Sequence, residues 1–351
     1  MRGVLRRGAL SSVLAALLLA VGACSCGGPG KGPEGPSGVT GTETGTADSG
    51  APKRDWAVHP AIVMLDGVAD LYAMGDVHGD PDAQMRTLVN AGLAAAGDPP
   101  TWTGGKATLV VTGDVIDKGD QSMVAIANFI ALEKDAAAKG GRVIVTSGNH
   151  EAEFLADPSV DKADEFRKEL KAAGEKPKHV ARGEGVIGEW LRTRPYGVLA
   201  GDWFFSHAGD TAGDDGAPRS AKALDVWFQG TFDKGQLDVI AKANLLQARK
   251  DWWSDSPEKS SLDAVLAALP AKHLVYGHQP GEIPCKPDGD RPKQTLATCY
   301  DGKVFFLDVG MSKAVNPSSP GGLLHIEIGP PAKVTALVPG ESPRKVWSAP
   351  R

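Results

Sequence analysis

The sequence predicts an α/β fold, and three observations support this prediction. Short runs rich in Val, Leu and Phe recur along the chain, and each ends in a glycine or a polar cluster. Amphipathic segments lie between several of these runs, and two of the segments end in glycine, as helices often do. Alternation of buried strands with amphipathic helices is typical of a sheet covered by helices.

Six apolar runs predict buried strands, because they are short and bounded by glycine or polar residues. In chain order they are GVADLYAM, ATLVVT, GRVIVTS, DWFFS, HLVY and KVFFLDV. Near the end of the chain, GLLHIEIG and AKVTALVP alternate apolar and polar residues. This alternation predicts two further strands that close a sheet.

Helices are predicted in the intervals between the strands. The segments DAQMRTLVNAGLAAAG and QSMVAIANFIALEKDAAAKG are amphipathic and follow the first and second strands. Residues 152–191 and 213–268 also look largely helical, and we expect them to be insertions over one edge of the sheet. The sequence predicts no internal repeat and no second folded domain.

Composition and charge narrow the class of protein. The 351 residues are 42% hydrophobic and 23% charged, which is ordinary for a globular protein. The net charge is −5. Because nucleic-acid binders present a basic surface to the phosphate backbone, nucleic-acid binding is not expected.

The N-terminus has the pattern of an export signal. Three arginines among the first seven residues precede a short apolar run over residues 10–21, and small residues lead to Cys24. This pattern resembles the lipobox of bacterial lipoproteins. The resemblance implies a lipoprotein signal peptide over 1–23 and a lipidated Cys24 that anchors the exported protein to a membrane. The alternatives are a plain signal peptide cut near Ala23 and an uncleaved anchor.

A flexible tether is expected after the anchor. Residues 24–55 are rich in Gly, Pro and Thr and show no apolar periodicity, so we expect the catalytic domain to span 56–351. Ser25 follows the predicted lipidated cysteine. Some bacteria use an aspartate at this position to retain lipoproteins at the inner membrane. By that analogy, its absence favours the outer membrane, on the periplasmic or cell-surface side.

Two cysteines flank the Pro- and Gly-containing segment CKPDGDRPKQTLATC. We predict a disulfide between Cys285 and Cys299, because exported proteins reach an oxidising compartment. A metal site is the alternative, but it would need further cysteines or histidines at short spacing. Cys26 receives no role.

Polar side chains follow the predicted strands, at the edge of an α/β sheet where functional groups collect. These residues are Asp76, His78, Asp114, Asn149, His150, His207 and His278. Carboxylate and imidazole together suit zinc, iron or manganese. Asp114 stands where it could bridge a pair of metals. Asp308, in FLDVGMS, either lies near this site or serves a strand-end turn.

The motifs GDVHG, GDVIDKG, GNHE, SHAG and GHQ occur in this order within residues 75–310. Together they resemble the calcineurin-like metallophosphoesterases, and the first three have the form of the phosphoprotein-phosphatase branch. The segment LRTRPYGVLAGDWFFSHAGD resembles the bacterial Shewanella-like phosphatases. The resemblance implies a four-layer α/β/β/α sandwich of two mixed sheets with helical insertions.

The resemblance also implies a centre of two metal ions (manganese, iron or zinc) bridged by a hydroxide that attacks phosphorus in line. One ion is held by Asp76, His78 and Asp114. The other is held by Asp114, Asn149, His207 and His278. Two such cations activate water and clamp a phosphoryl group. In the same family pattern, His150 protonates the leaving oxygen as general acid, and Asp117 orients it.

Phosphate contacts are less clear in the sequence. Lys118 stands where the branch usually has arginine, and lysine offers a point charge in place of two parallel donors. Asn149 also faces the phosphate by the same resemblance. Arg192, Arg194 and Arg249 are candidates for a further contact, and the sequence does not choose among them.

The predicted function is hydrolysis of phosphomonoesters, in phosphoproteins (on serine, threonine or tyrosine) or in small phosphorylated substrates. One alternative is a dinucleoside polyphosphate or nucleotide hydrolase, with Trp252 and Trp253 as stacking residues and Lys118 in place of arginine. Another is a non-catalytic lipoprotein that binds phosphorylated ligands. The presence of every expected ligand and of His150 argues against the last alternative.

Overall fold

The computed structural model describes residues 53–249, 252, 259–285 and 289–350. The predicted signal peptide, the predicted lipidation site Cys24 and most of the predicted tether lie outside these residues and remain predictions. The described residues belong to one compact unit. Along this part of the chain, no helix is long and apolar enough to cross a membrane.

Strands and helices alternate along the described residues. The strands are β1 Ile62–Leu65, β2 Asp70–Met74, β3 Ala94–Ala95, β4 Thr101–Trp102, β5 Thr108–Val111, β6 Arg142–Val145, β7 Gly197–Ala200, β8 Trp203–Ser206, β9 His273–Tyr276, β10 Ala297–Cys299, β11 Val304–Phe306, β12 Leu323–Glu327, β13 Lys333–Leu337 and β14 Arg344–Ser348. The helices are α1 Pro81–Asn90, α2 Ser122–Ala138, α3 Asn149–Ala156, α4 Asp164–Ala172, α5 Pro177–Ala181, α6 Gly185–Arg192, α7 Ala221–Asp233, α8 Leu237–Ala241, α9 Asn244–Gln247 and α10 Lys259–Ala268. A 3-10 turn, Asp161–Ala163, precedes α4.

Most of the strands form two six-stranded sheets. The first has the order β14-β13-β12-β2-β5-β6, with β2, β5 and β6 parallel and the remaining pairs antiparallel. The second has the order β1-β7-β8-β9-β11-β10, with β8, β9 and β11 parallel. Its β7 and β10 pair antiparallel with β8 and β11. Both sheets are mixed, which confirms the predicted architecture.

Alternate side chains of the second sheet point to different cores, as the two-residue period of a strand requires. Phe205 and Val275 pack with Leu71 and Val110 of the first sheet in one apolar core. Phe204 and its outward-facing neighbours pack with helices α7 to α10 in a second core. Helices α1 and α2 pack on the first sheet. These contacts build helix, sheet, sheet and helix layers.

The sequence-based elements hold with two exceptions. The helix predicted over 82–97 ends at Asn90, and Gly92 follows with φ of 72°, a conformation that terminates helices. The alanines beyond it form β3, which pairs with β4 in a small ribbon. The other exception concerns the short strands β1, β7, β10 and β14, which are not predicted from the sequence. Each is short: β1 is defined by its pairing with the distant β7, and β7, β10 and β14 pair with strands next to them along the chain.

The folded part begins before Trp56, where the sequence placed its start. Arg54 is buried, and its guanidinium donates to four backbone carbonyls. These carbonyls belong to His59, Pro60, Arg192 and Arg194. Its guanidinium also lies 4.3 Å from the ring centre of Trp56. Arg54 therefore belongs to the fold and not to the tether.

The disulfide between Cys285 and Cys299 is present, which confirms its prediction. The segment that it closes contains Arg291, whose side chain is buried. The Arg291 guanidinium donates to the carbonyls of Gln279, Gly281, Thr295 and Asp308. The closed segment is thereby tied to the loops that follow β9 and β11.

Candidate metal centre and active site

The predicted site residues converge where five strands end. Asp76 and His78 follow β2, Asp114 follows β5, Asn149 and His150 follow β6, His207 follows β8, and His278 follows β9. All seven side chains are buried. Because parallel strands present their carboxyl ends at one edge, residues up to 202 positions apart meet here.

Three side chains surround one imidazole nitrogen. The Nε2 atom of His207 lies 3.0 Å from Oδ1 of Asn149, 3.0 Å from Nδ1 of His278 and 3.4 Å from Oδ2 of Asp114. Its Nδ1 atom lies 2.7 Å from the Thr112 carbonyl, which fixes the ring. A cation in this group of side chains would have two nitrogen and two oxygen ligands.

A second group shares the Asp114 carboxylate. The Nε2 atom of His78 lies 3.7 Å from Oδ2 of Asp114 and 3.8 Å from Oδ2 of Asp76. The Nδ1 atom of His78 lies 3.2 Å from the Ile116 carbonyl. The same Oδ2 atom of Asp114 thus belongs to both groups, as a bridging ligand must.

The chemistry of this centre fits a bound cation. Nδ1 of His278 and Nε2 of His207, two ring nitrogens, lie 3.0 Å apart in this group. Burial and the nearby charge of His207 lower the pKa of His278 to about 2. Burial and the Asp308 carboxylate raise the pKa of Asp76. A cation would accept the imidazole lone pair and compensate the buried carboxylates, and nitrogen and oxygen donors suit zinc, iron or manganese.

His207 and Asp114 shift each other's pKa. Burial acts to lower the pKa of His207, but the Asp114 carboxylate outweighs it and raises this pKa to about 9. For Asp114 the charges of His207 and His150 outweigh burial and hold its pKa well below the usual range. Both shifts favour an ionised carboxylate at the shared position.

The backbone at the site is held in an uncommon conformation. Positive φ angles, rare outside glycine, occur at His78, Asp114, Asp117, Lys118 and His278. Main-chain hydrogen bonds from His78 to Asp114 (2.9 Å) and from Gly79 to Val115 (2.8 Å) lock two of these loops together. Such strain persists only where the surrounding structure supports it, and it is concentrated at functional sites.

Glu151 is a site residue to which the sequence interpretation gave no role. Its buried carboxylate accepts from the backbone N–H groups of Asp114, Val115, Ile116 and Gly148 at 2.7–3.1 Å. It therefore shapes the loop that carries the bridging carboxylate. The available signal was its place three residues after the helix cap, where a glutamate commonly bonds back to the backbone.

His150 and Asp117 form a buried pair. The Nδ1 atom of His150 lies 3.2 Å from Oδ2 of Asp117. Burial acts to lower the pKa of His150, but the carboxylates of Asp114 and Asp117 outweigh it and raise this pKa. The Nε2 atom of His150 also lies 3.9 Å from Oδ2 of Asp114, so geometry alone would permit it as a metal ligand.

The structure corrects two of the predicted phosphate contacts. Arg194 is buried and pairs with Glu133, and its Nε donates to the Trp190 carbonyl. Arg192 donates to the Ala181 carbonyl and lies over the ring of Phe232. Both guanidinium groups are thus engaged with other partners, because the end of α6 turns them into the packing between helices.

Two other cations lie near the centre. Lys118 is exposed, and its Nζ donates to Nε2 of His78 at 2.8 Å. Arg249 is also exposed, and its charge contributes to the lowered pKa of His278. Asp308 is buried, and its Oδ1 accepts from the Gly310 N–H, which closes a turn. Its charge also helps to raise the pKa of Asp76.

Two mixed sheets with a buried Asp/His cluster at their strand ends define a phosphoesterase of the metal-binding type. The profile of the calcineurin-like phosphoesterases matches residues 70–289, and the chain belongs to this family.

An uncharacterized protein of Schizosaccharomyces pombe is 44% identical over 81 residues, which is 23% of this chain and 24% of that protein. Shewanella-like protein phosphatase 2 of Arabidopsis thaliana is 36% identical over 81 residues, 23% of this chain and 20% of the relative.

The chain thus matches about a quarter or less of the length of these relatives. Among solved structures, the cold-active protein-tyrosine phosphatase of a Shewanella species superimposes with a TM-score of 0.63 at 19% identity, covering 82% of each chain. That likeness shows the shared fold. The sequence similarity supports the phosphoprotein-phosphatase-type branch of the family.

Proposed function

We propose that this protein hydrolyses phosphomonoesters at a dinuclear metal centre, with phosphoproteins or small phosphorylated molecules as substrates. The proposal rests on one observation: Oδ2 of Asp114 belongs to two groups of potential ligands at once. Asp76, His78 and Asp114 would hold the first metal. Asp114, Asn149, His207 and His278 would hold the second.

Two divalent cations at these ligands would activate a water molecule and orient a phosphoryl group for in-line attack. The chain's own residues supply the remaining steps. His150 donates a proton to the leaving oxygen, and Asp117 holds the imidazole in the orientation that this needs. Lys118 and Arg249 provide positive charge for the phosphoryl oxygens. Lys118 contacts Nε2 of His78, an atom that would hold the first cation, so its ammonium would be available to the substrate once the site is filled.

Hydrolysis of p-nitrophenyl phosphate by the full chain tests this proposal. The protein is stripped with a chelator and assayed with and without Mn²⁺, beside His150→Ala, and against a diester and a dinucleoside polyphosphate. Metal-dependent monoester hydrolysis that falls in the variant supports the proposal. A metal-loaded protein that cleaves only the diester or the nucleotide would overturn the monoesterase assignment. Metal binding without any turnover would favour a phosphate-binding protein.

We also propose that the protein is an exported lipoprotein anchored through Cys24. The disulfide between Cys285 and Cys299 supports export, because such bonds persist in oxidising compartments. Mass spectrometry of the mature N-terminus should find an acylated Cys24, and Cys24→Ala should release the protein from membranes. A mature N-terminus elsewhere, without lipid, would exclude the anchor.

A further inference from the structure

We infer that Glu153 is a positioning residue, which turns the Asn149 side chain so that its oxygen faces the second metal. This inference rests on the proposed function, in which Asn149 is a ligand. Glu153 lies one helical turn after Asn149 on α3, so the two side chains share a face of that helix.

The contacts fix which end of the amide faces which neighbour. A carboxylate only accepts hydrogen bonds, whereas an asparagine amide carries an accepting oxygen and a donating nitrogen. Nδ2 of Asn149 donates to Oε1 of Glu153 at 3.3 Å. The opposite end, Oδ1, therefore lies at the metal group, 3.0 Å from Nε2 of His207.

An amide without this partner has two orientations available. In one of them the oxygen faces the cation, and in the other the N–H₂ group does, which cannot bind a metal. The partner that orients a ligand commonly changes metal affinity by about 10–100-fold when it is removed. We therefore expect Glu153 to determine the affinity of the second site and not of the first.

Glu153 is itself held by two helical insertions. Lys162, in the 3-10 turn, donates to its Oε1 at 2.6 Å. Gln247, at the end of α9, donates to the same atom at 2.6 Å and also to the Ala241 carbonyl at 2.7 Å. The Glu153 side chain is 17% exposed, which lets it be replaced without opening the core. Lys162 and Gln247 thus hold the Glu153 carboxylate in place, while its bond to Asn149 is made within α3.

The test compares Mn²⁺ binding by full-length apoproteins, measured by titration calorimetry and by elemental analysis after dialysis. Glu153→Met keeps the side-chain length but removes the acceptor. Glu153→Gln restores an accepting oxygen without the charge. Lys162→Met is the matched control, because it removes the ion pair and leaves the bond between Asn149 and Glu153 in place.

We expect Glu153→Met to bind one Mn²⁺ as the wild type does and the second about 10–100-fold more weakly. Glu153→Gln should recover most of this loss, and Lys162→Met should bind both ions normally. The kcat of Glu153→Met should return at high Mn²⁺, since the role is orientation. Melting temperatures of the apoproteins check folding, and Glu153→Ala replaces the methionine variant if that variant does not fold.

Equal affinity of the wild type and Glu153→Met for both ions would overturn the inference and leave the proposed function intact. A loss that Lys162→Met reproduces would also overturn it, because the ion pair would then be the cause. A wild-type protein that binds fewer than two Mn²⁺ would instead overturn the dinuclear centre, and the inference with it.

Discussion

The Nδ1 atom of His150 lies 3.2 Å from Oδ2 of Asp117, and both side chains are buried. The other Asp117 oxygen accepts from the N–H of Phe166 at 3.2 Å. The carboxylate is thus fixed from two sides, by the imidazole and by α4. One ring nitrogen of His150 is occupied by an acid, and the other points toward Asp114. This arrangement suits a proton donor and is the basis of the first prediction.

His150→Ala should lower kcat by about 10²–10⁴-fold while both metals stay bound. The loss should be larger with phenyl phosphate than with p-nitrophenyl phosphate, because a more basic leaving oxygen depends more on protonation. Asp117→Asn should show the same trend, more weakly. Kinetics on the two esters and elemental analysis measure this. A variant that loses one metal would identify His150 as a ligand.

Changing the shared carboxylate should affect the centre more than changing a ligand of one metal. Asp114→Asn should lower the binding of both ions, whereas His207→Ala should lose only the second, because His207 contacts one group. Turnover should fall to background in both variants. Metal content by elemental analysis gives the stoichiometry. Unchanged metal content in either protein contradicts the assignment of that residue.

Lys118→Arg should tighten inhibition by phosphate or tungstate, because arginine offers two parallel donors to an oxyanion. Lys118→Met should weaken it. The matched control is Lys303→Arg, whose ammonium pairs with Asp263 at 2.6 Å. Inhibition constants at fixed Mn²⁺ provide the measurement. Constants that do not move in either Lys118 variant would show that this side chain does not meet the phosphate.

The disulfide should contribute to stability through the loop that it closes. Cys285 and Cys299 are 14 residues apart, and closing a loop of this length stabilises by about 3 kcal/mol. Replacing both cysteines with serine should lower the free energy of unfolding by that amount in urea titrations. A reductant should bring the wild type to the same value and leave the variant unaffected. Equal stability of the oxidised wild type and the double serine variant would argue against this role.

Glu169 should make stability depend on pH. Burial raises its pKa from 4.5 to about 7, although it accepts from the N–H groups of Ser122 and Met123. The folded state then binds more protons than the unfolded state between these pH values, so this contribution to stability falls as pH rises from 4.5 to about 7. Above pH 7 the contribution of Glu169 to stability no longer changes with pH. The variant Glu169→Gln lacks this pH-dependent contribution.

The melting temperature of Glu169→Gln relative to the wild type should therefore increase across that pH range and level off above it. Thermal unfolding of both metal-free proteins at a series of pH values measures the difference. Glu165→Gln, on the exposed part of the same helix, is the control. A difference that stays constant with pH would contradict a raised pKa for Glu169.

The sequence alone predicted the features that depend on residue type and on the order of nearby residues. The strands that end in Gly75-Asp76, Gly113-Asp114 and Gly148-Asn149 are local patterns, and all of them are present. The pairing of Cys285 with Cys299 followed from the segment between them. These features need only short-range information, which is why they were predictable.

The partners of long side chains were not predictable in the same way. Arg194 was a candidate for phosphate until the fold placed Glu133 beside it. Arg54 looked like part of a tether, but distant carbonyls accept from it. Strand β1 gains its role only from β7, which lies more than 100 residues later. Each depends on a contact between segments far apart in the chain.

The sequence by itself determined the order of the motifs and the ligand types, because metal chemistry restricts which residues can serve. Its resemblance to the family implied the general acid candidate. Only the tertiary structure decided that Glu151 shapes the loop of Asp114 and that the Asn149 amide turns its oxygen to His207 and its nitrogen to Glu153. The physical reason is that these orientations depend on hydrogen-bond distances of 2.9–3.3 Å between groups that the fold brings together. Such distances exist only after the two sheets and the helical insertions have packed together.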